Sequence, residues 1–269
     1  KEIVLLQLDT VENNSRAELY QYDNGLMKLT STAPLSVDLT EIQAVKTGSL
    51  VDQIPALFVS SNFGEAGGQI TDILAIREDE LTNLTLDESS GMSVQTVRYY
   101  TGFQNAYGTD INSDGILELP IPRPLAMLEE TSSQMYMLHW NQYDLQGESQ
   151  RVCTTFQCYE DGWYLITPES WQNQVTVARR SSVTVSERAV SFYYWPPGEE
   201  EPQEFLTIYR LTGSSRTSRA TIDDRFLLLE GSNVVYAAKF QDTQWDCGLN
   251  GDDLRDRFNL IKVDWSSDN

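Results

Sequence analysis

Histidine is almost missing from this chain: His139 is the sole example among 269 residues. One imidazole excludes a multi-histidine zinc site, and any Ser-His or Cys-His mechanism would have to use it. No nucleophile motif marks His139, so it reads as a packed or half-exposed strand residue. Positive charge is scarce too. Lys plus Arg number 19 against 40 Asp plus Glu, a formal net charge of -21. That excludes nucleic acid, whose binders need a basic face to displace counterions. It argues equally against docking on anionic lipid. No apolar run reaches the length of about 18 residues that a membrane-spanning helix needs, so no membrane insertion is expected. Cysteine is limited to Cys153, Cys158 and Cys247. An odd count without a spaced framework is no disulfide scaffold, and an odd separation puts Cys153 and Cys158 on opposite faces of a strand. The three read as small apolar residues, with a bridge from Cys247 left open. The chain opens without Met inside an apolar strand, KEIVLLQL, which predicts a processed or trimmed chain whose targeting signal lay upstream.

Apolar residues are plentiful. Hydrophobic residues make up 40% and aromatics 10%, enough for a core and too many for a disordered chain. Short runs rich in Val, Ile, Leu, Tyr and Phe predict strands at 3–8, 17–22, 56–60, 71–77, 135–140 and 152–159. A repeat follows: 18–29, 72–84 and 156–166 each read as strand, acidic turn, strand. Asp23-Asn24-Gly25 and Asp161-Gly162 supply the left-handed residues of a tight hairpin, whereas Asp79-Glu80 predicts a looser turn. Each hairpin has an apolar strand upstream, reached through the polar loops 9–16, 62–69 and 141–150. Beyond residue 166 the texture changes. Residues 1–166 hold 8 basic and 24 acidic residues, and 167–269 hold 11 and 16. The expected domains are therefore 1–166 and 167–269. The second reads as strands at 175–177, 182–185, 189–195, 205–211 and 234–240, closed by a helix with Leu254, Phe258 and Ile261 on one face and Asp252 and Asp253 in its first turn. That order is an α+β pattern.

The sharpest site signal is Asp110-x-Asn112-x-Asp114-Gly115-Ile116-x-Glu118. Oxygen side chains at positions 1, 3 and 5, a glycine at 6 and a backbone carbonyl at 7 can wrap a hard cation. An EF-hand is excluded, because its twelfth position is Ile121 and Pro120 and Pro122 forbid an exiting helix. The expected metal residues are Asp110, Asn112, Asp114, Ile116 and Glu118, and the expected ion is calcium. A metal-free loop shaped by Asx-turns and Gly115 is the competing reading. Seven arginines from Arg179 to Arg225 could suit an anionic partner, though such residues more often pair with nearby acids. Glu78-Asp79-Glu80 and Glu199-Glu200-Glu201 read as solvated turns. Tyr99, Tyr100, Phe103 and Tyr107, and also Tyr193, Tyr194 and Trp195, could stack on sugars or peptides.

Two resemblances follow from these segments. Residues 1–166, through their strand pattern and TDINSDGILELP (109–120), resemble extracellular β-propeller repeats of the FG-GAP or VCBS type. The resemblance implies that Glu118 supplies the last carboxylate to calcium. Three copies cannot close a propeller ring, which typically needs four or more blades, so further sequence would complete it or the copies form an open sheet. WYLITPESWQNQVTV (163–177), AVSFYYW, EFLTIYRL and VVYAAKF with the closing helix resemble the Mog1/PsbP-like fold of some bacterial surface lipoproteins. The expected architecture is mainly β with a smaller α+β part: propeller-like antiparallel repeats, then a Mog1/PsbP-like domain. The resemblances imply a non-catalytic, extracytoplasmic binding or scaffolding protein, secreted or lipid-anchored, with an unknown protein or glycan partner at the cell surface. An accessory module or part of an enzyme acting on extracellular glycans or peptides is the alternative.

Overall fold

The dipeptide Asn24-Gly25 forms a two-residue turn with both residues left-handed, φ 50° and 89°. That is the twist a tight hairpin demands. In the computed structural model it joins β2 (Arg16–Asp23) to β3 (Leu26–Pro34), and β1 (Glu2–Gln7) pairs on the other side of β2. The structure describes residues 2–64, 68–98, 107–128, 134–182 and 186–261. The second repeat does the same after β4 (Leu39–Ser49): β5 (Pro55–Phe63), β6 (Gly68–Arg77) and β7 (Glu80–Asn83) form a meander. Its turn is tight, contrary to expectation, and sits one residue earlier. Glu78 and Asp79 both take left-handed backbone, φ 53° and 66°. Asp tolerates that conformation but Glu does not advertise it, and the pairing of Arg77 with Glu80 imposes it on both.

Short strands β8 (Leu86–Asp87), β9 (Met92–Ser93) and β10 (Thr96–Arg98) follow, the last pairing with β6. The third repeat is β12 (Tyr136–Tyr143), β13 (Ser149–Cys158) and β14 (Trp163–Ile166), preceded by β11 (Leu119–Pro124). Next come β15 (Val175–Ser182), β16 (Glu187–Tyr194), β17 (Gln203–Leu211), α1 (Arg216–Arg219), β18 (Phe226–Glu230), β19 (Val235–Phe240), α2 (Gly251–Arg257) and β20 (Phe258–Leu260). The sheets run β1-β2-β3; β10-β6-β5-β4 with β7 also on β6; β11-β12-β13-β14-β20; β15-β16-β17-β19-β18; and β8-β9. The protein is mainly β, in five sheets, and among the described residues none closes into a barrel or propeller.

Two departures from the sequence reading concern its second half. One continuous strand, β15, replaces the two expected at 175–177 and 182–185, because every residue from Val175 to Ser182 pairs with β16; residues 183–185 lie outside the described residues. The closing helix is also shorter than its spacing predicts. Asn250 caps it, accepting from the Asp252 and Asp253 N–H groups while Asp253 accepts from the Asn250 N–H. Leu254 is buried on it, but Phe258 turns extended and pairs with Leu165 of β14. Sheet pairing there outweighs helical propensity.

The chain divides into two compact units, residues 1–122 with 139–152 and residues 123–138 with 153–269. Hairpin β13–β14 thus contributes residues 153–166 to the second. In the first unit, Ala17, Leu19 and Ala33 pack with Val59, Ile70 and Leu74, while Phe58 and Ile73, on the opposite face of β5 and β6, pack with Leu50, Leu119 and Tyr143. Sheet β4–β7 is therefore covered on both sides. The second unit has an aromatic core of Phe156, Trp163, Trp171, Phe192, Phe205 and Phe258. Trp171 and Phe205 meet edge-on at 5.0 Å, and Trp171 donates to the Cys247 carbonyl at 2.8 Å. Each such side chain stabilises by about 1.5–3 kcal/mol through burial.

Candidate metal loop

The segment between β10 and β11 closes on itself where Thr109 and Glu118 form an antiparallel bridge, with N–H to carbonyl distances of 2.9 and 3.1 Å. Everything between is shaped by short acidic side chains that bond their own backbone. Asp110 accepts from the Asp114 N–H at 3.1 Å through Oδ1 and from the Gly115 N–H at 3.0 Å through Oδ2. Asn112 Oδ1 accepts from the Asp114 N–H (3.1 Å), and Asp114 Oδ1 from the Ile116 N–H (2.8 Å). Gly115 stands at φ 85°, a conformation its missing Cβ permits at no cost. Glu118 Oε2 accepts from the Ile111 N–H at 2.9 Å. The loop is moored by Leu117, whose N–H reaches the Ser49 carbonyl (3.0 Å), and by Ile111, which is buried.

This folding gathers three carboxylates. Asp110, Asp114 and Glu118 each present one oxygen within 4.8 Å of the others, the first two exposed and Glu118 fully buried. Asn112 joins them through its Nδ2, which donates to Asp114 Oδ2 at 2.9 Å. Ile116 meets the cluster through its N–H. The sequence reading missed one residue, Gln142 on β12. Its Nε2 donates to both Asp114 Oδ2 (2.6 Å) and Glu118 Oε1 (2.7 Å). Nothing local marks it, since it stands 24 residues beyond Glu118 in a segment read as polar loop.

Burial and hydrogen bonding act on the carboxylates in opposite senses. Burial pushes Glu118 above the ordinary carboxylate value; the Ile111 N–H and the Gln142 amide pull it back, and the charges of Asp114 and Asp110 push it up again. Burial pushes Asp114 the same way. The Ile116 N–H and the Asn112 and Gln142 amides outweigh it and hold Asp114 below its usual range. The donor set is all oxygen and amide, which suits a hard divalent cation and not a soft one.

The other candidate residues lie elsewhere and are taken up by their surroundings. His139 is half-buried on β12. Six of the seven arginines pair with acids: Arg179 with Glu160, Arg180 with Glu204, Arg188 and Arg210 with Asp161, and Arg219 and Arg225 with Glu187. Arg216 donates to the carbonyls of Gly213 and Ser232. Tyr193 is buried, Tyr194 stacks on Trp245 at 4.5 Å, and the Trp195 indole donates to the Glu199 carbonyl at 3.0 Å. Tyr107 is half-buried, and Tyr99, Tyr100 and Phe103 lie outside the described residues. No disulfide joins the three cysteines, and Cys158 and Cys247 are buried; burial pushes the Cys158 thiol up to about 12. The chain matches no protein-family model, no curated protein and no solved structure.

Proposed function

We propose that this chain is a non-catalytic extracytoplasmic binding or scaffolding protein in which loop 110–118 is a structural Ca²⁺ site. The observation that carries the reading is the convergence of Asp110, Asp114 and Glu118 within 4.8 Å. Their oxygens, with those of Asn112, the Ile116 carbonyl and water, meet the six to seven ligands of a calcium site. A half-turn of the Gln142 amide would exchange its NH₂ for a carbonyl oxygen and add a ligand from outside the loop. Bound Ca²⁺ would offset the mutual repulsion of the carboxylates and fix the approach to β11. Sites of this kind in extracellular modules bind in the range of about 10⁻⁴ to 10⁻³ M, so the ion would fill the loop outside a cell and leave it inside one. The same reading places the protein at a bacterial surface, secreted or lipid-anchored, with a protein or glycan partner. It also keeps the resemblance of the three meanders to FG-GAP repeats and of the C-terminal segment to a Mog1/PsbP-like domain. Support for a non-catalytic role comes from the paired arginines and the buried Cys158 thiol, too poorly ionised to act as a nucleophile.

The test is a pair of melting curves, in EDTA and in millimolar CaCl₂. Free Ca²⁺ tenfold above Kd stabilises by about 1.4 kcal/mol, which raises Tm by roughly 3–6 °C for a unit of this size. Asp114→Asn should abolish the response to Ca²⁺ and melt higher than the wild type in EDTA. Identical wild-type curves in the two buffers would refute the calcium reading and leave the Asx-turn loop standing.

A further inference from the structure

Sheet β1-β2-β3 is largely apolar on both faces, and among the described residues only one face is covered. Residues directly opposite one another on paired strands share a face. Ile3 lies opposite Tyr20, which lies opposite Leu29; Tyr22 lies opposite Met27, and Leu5 opposite Glu18. Ile3, Leu5, Tyr20, Tyr22, Met27 and Leu29 therefore form one face, bordered by the paired Arg16 and Glu18, while Val4, Leu6, Ala17 and Leu19 form the other and pack on Val59 and Leu74. The first face is open: Ile3 is 56%, Tyr22 57%, Leu29 51%, Leu5 46% and Met27 39% exposed. Of 17 large apolar side chains exposed among the described residues, eight fall within residues 3–29, and the other nine are spread over the rest of the chain. A concentration of this kind marks an interaction site.

The second repeat shows what the first lacks. Sheet β4–β7 has a core on each face, and β5, the counterpart of β1, is paired along its outer edge by β4. Strand β1 has no strand beyond it among the described residues, and its edge carries no Pro, Lys or bulge of the sort that blunts free edges.

We propose that the Ile3–Tyr22–Leu29 face is an interface between two copies of this chain, packed face to face about a two-fold axis. Three observations select this occupant. The layer covering the opposite face of the same sheet is itself an antiparallel sheet of aliphatic residues, and the free surface of that kind is this face on a second copy. Charge favours this meeting place as well. The chain carries -21 overall, but on β1–β3 the pairs Arg16–Glu18 (2.8 Å) and Lys28–Asp23 (2.5 Å) cancel, and Glu2 accepts from the Gln21 amide. Each copy thus brings a net charge of only -1 from β1–β3 to the contact. The exposed side chains offer on the order of 500 Å² of apolar surface per copy, so the pair buries about 1,000 Å², the lower limit for a specific interface. A micromolar, self-limiting dimer is the outcome, closed by its symmetry.

Sedimentation velocity on the whole chain across micromolar concentrations tests this. The expected result is a monomer–dimer equilibrium that tightens as NaCl is raised, because salt screens the repulsion of two acidic copies and leaves apolar contact intact. Leu29→Glu and Tyr22→Glu, each confirmed folded by circular dichroism, should weaken the dimer roughly tenfold or more, while Val94→Glu, on an exposed residue elsewhere, should not. A monomer at every concentration, a dimer indifferent to both face variants, or a dimer that salt dissociates would each overturn the proposal.

Discussion

Replacing Asp72 by Asn should destabilise the first unit although the side chain keeps its size. Asp72 is fully buried on β6, and three donors converge on it. The Ser36 hydroxyl (2.7 Å) and the Asn83 amide (2.8 Å) reach Oδ1, and the Ser36 N–H (3.1 Å) reaches Oδ2. The donors are themselves committed: Ser36 Oγ accepts from the Ser93 N–H (2.8 Å), and Asn83 Nδ2 also serves the Pro34 carbonyl (3.0 Å). A carboxylate only accepts, so it satisfies all three; an amide must place its NH₂ against one of them. Facing Oδ2's position it meets the Ser36 N–H, and facing Oδ1's it meets the Asn83 NH₂. One buried donor left without a partner costs about 1–3 kcal/mol. Asp72→Ala strands all three donors and should cost more, about 3–5 kcal/mol by the same reckoning. Burial pushes the Asp72 carboxyl above its ordinary value, and the Asn83 and Ser36 bonds only partly restore it. A folded-state pKa raised above 3.8 gives a contribution fully present below that pH and lost as pH rises through the folded value. The wild type should therefore lose stability as pH rises through that value, whereas Asp72→Asn, which has no proton to lose, should not; the unmatched-donor cost is read where the wild-type carboxyl is ionised. Urea melts across pH, with hydrogen exchange read at the Ser36 and Ser93 amides, measure both effects. An Asn variant as stable as wild type at all pH values, or an Ala variant more stable than the Asn one, would refute the account.

Two further outcomes follow from backbone geometry. Gly147 sits at φ 83° in the β12–β13 turn, and a Cβ there would stand 2.2 Å from the Leu84 carbonyl oxygen, so Gly147→Ala should cost about 2–4 kcal/mol by left-handed strain plus the displacement of backbone, measured by denaturant melts. Asn250→Ala removes both acceptances of the helix cap and should cost about 1 kcal/mol, with faster amide exchange at β20 as the local sign.

What the sequence made legible was local. Asn24-Gly25 specifies its turn by its own backbone preferences, and the Asp110-x-Asn112-x-Asp114-Gly115 spacing specifies a loop whose bonds all lie within residues 109–118 apart from its moorings. The three meanders were visible because each strand carries its own apolar run. The misses are non-local. Glu78 and Asp79 turn left-handed because β6 and β7 pair around them. Phe258 leaves the helix because β14 offers it a partner 93 residues upstream, Leu165. Strand β4 passed unnoticed, since alternation over 39–49 is diluted by the exposed Thr40, Glu41, Gln43 and Thr47. Gln142 reaches the acidic loop through the path of β12, which no spacing in the sequence encodes.

Asp72 and Glu118 are both buried carboxylates, and the contrast between them shows what the loop still needs. Each accepts hydrogen bonds on both oxygens, so hydrogen bonding does not separate them. Charge does. The donors around Asp72 are neutral, and that suffices for a lone carboxyl whose proton affinity is already raised. The donors around Glu118 are neutral too, an N–H and one Gln142 amide shared with Asp114, yet Asp114 and Asp110 add their charges to the push of burial. Hydrogen bonds can orient three converging carboxylates but cannot neutralise them; a divalent cation can do both. The same reasoning explains why Asp114→Asn is the informative variant in the melting experiment. It removes one negative charge while keeping an oxygen for the Ile116 N–H, and because Asp114 is exposed, water can serve the Asn112 and Gln142 amides that lose Oδ2. If repulsion is what loosens the cation-free loop, that variant melts above the wild type in EDTA and gains nothing from Ca²⁺. If the loop is shaped by its Asx-turns alone, the variant melts no higher than the wild type in EDTA, having lost the Oδ2 that accepts from Asn112 and Gln142, and Ca²⁺ shifts neither protein.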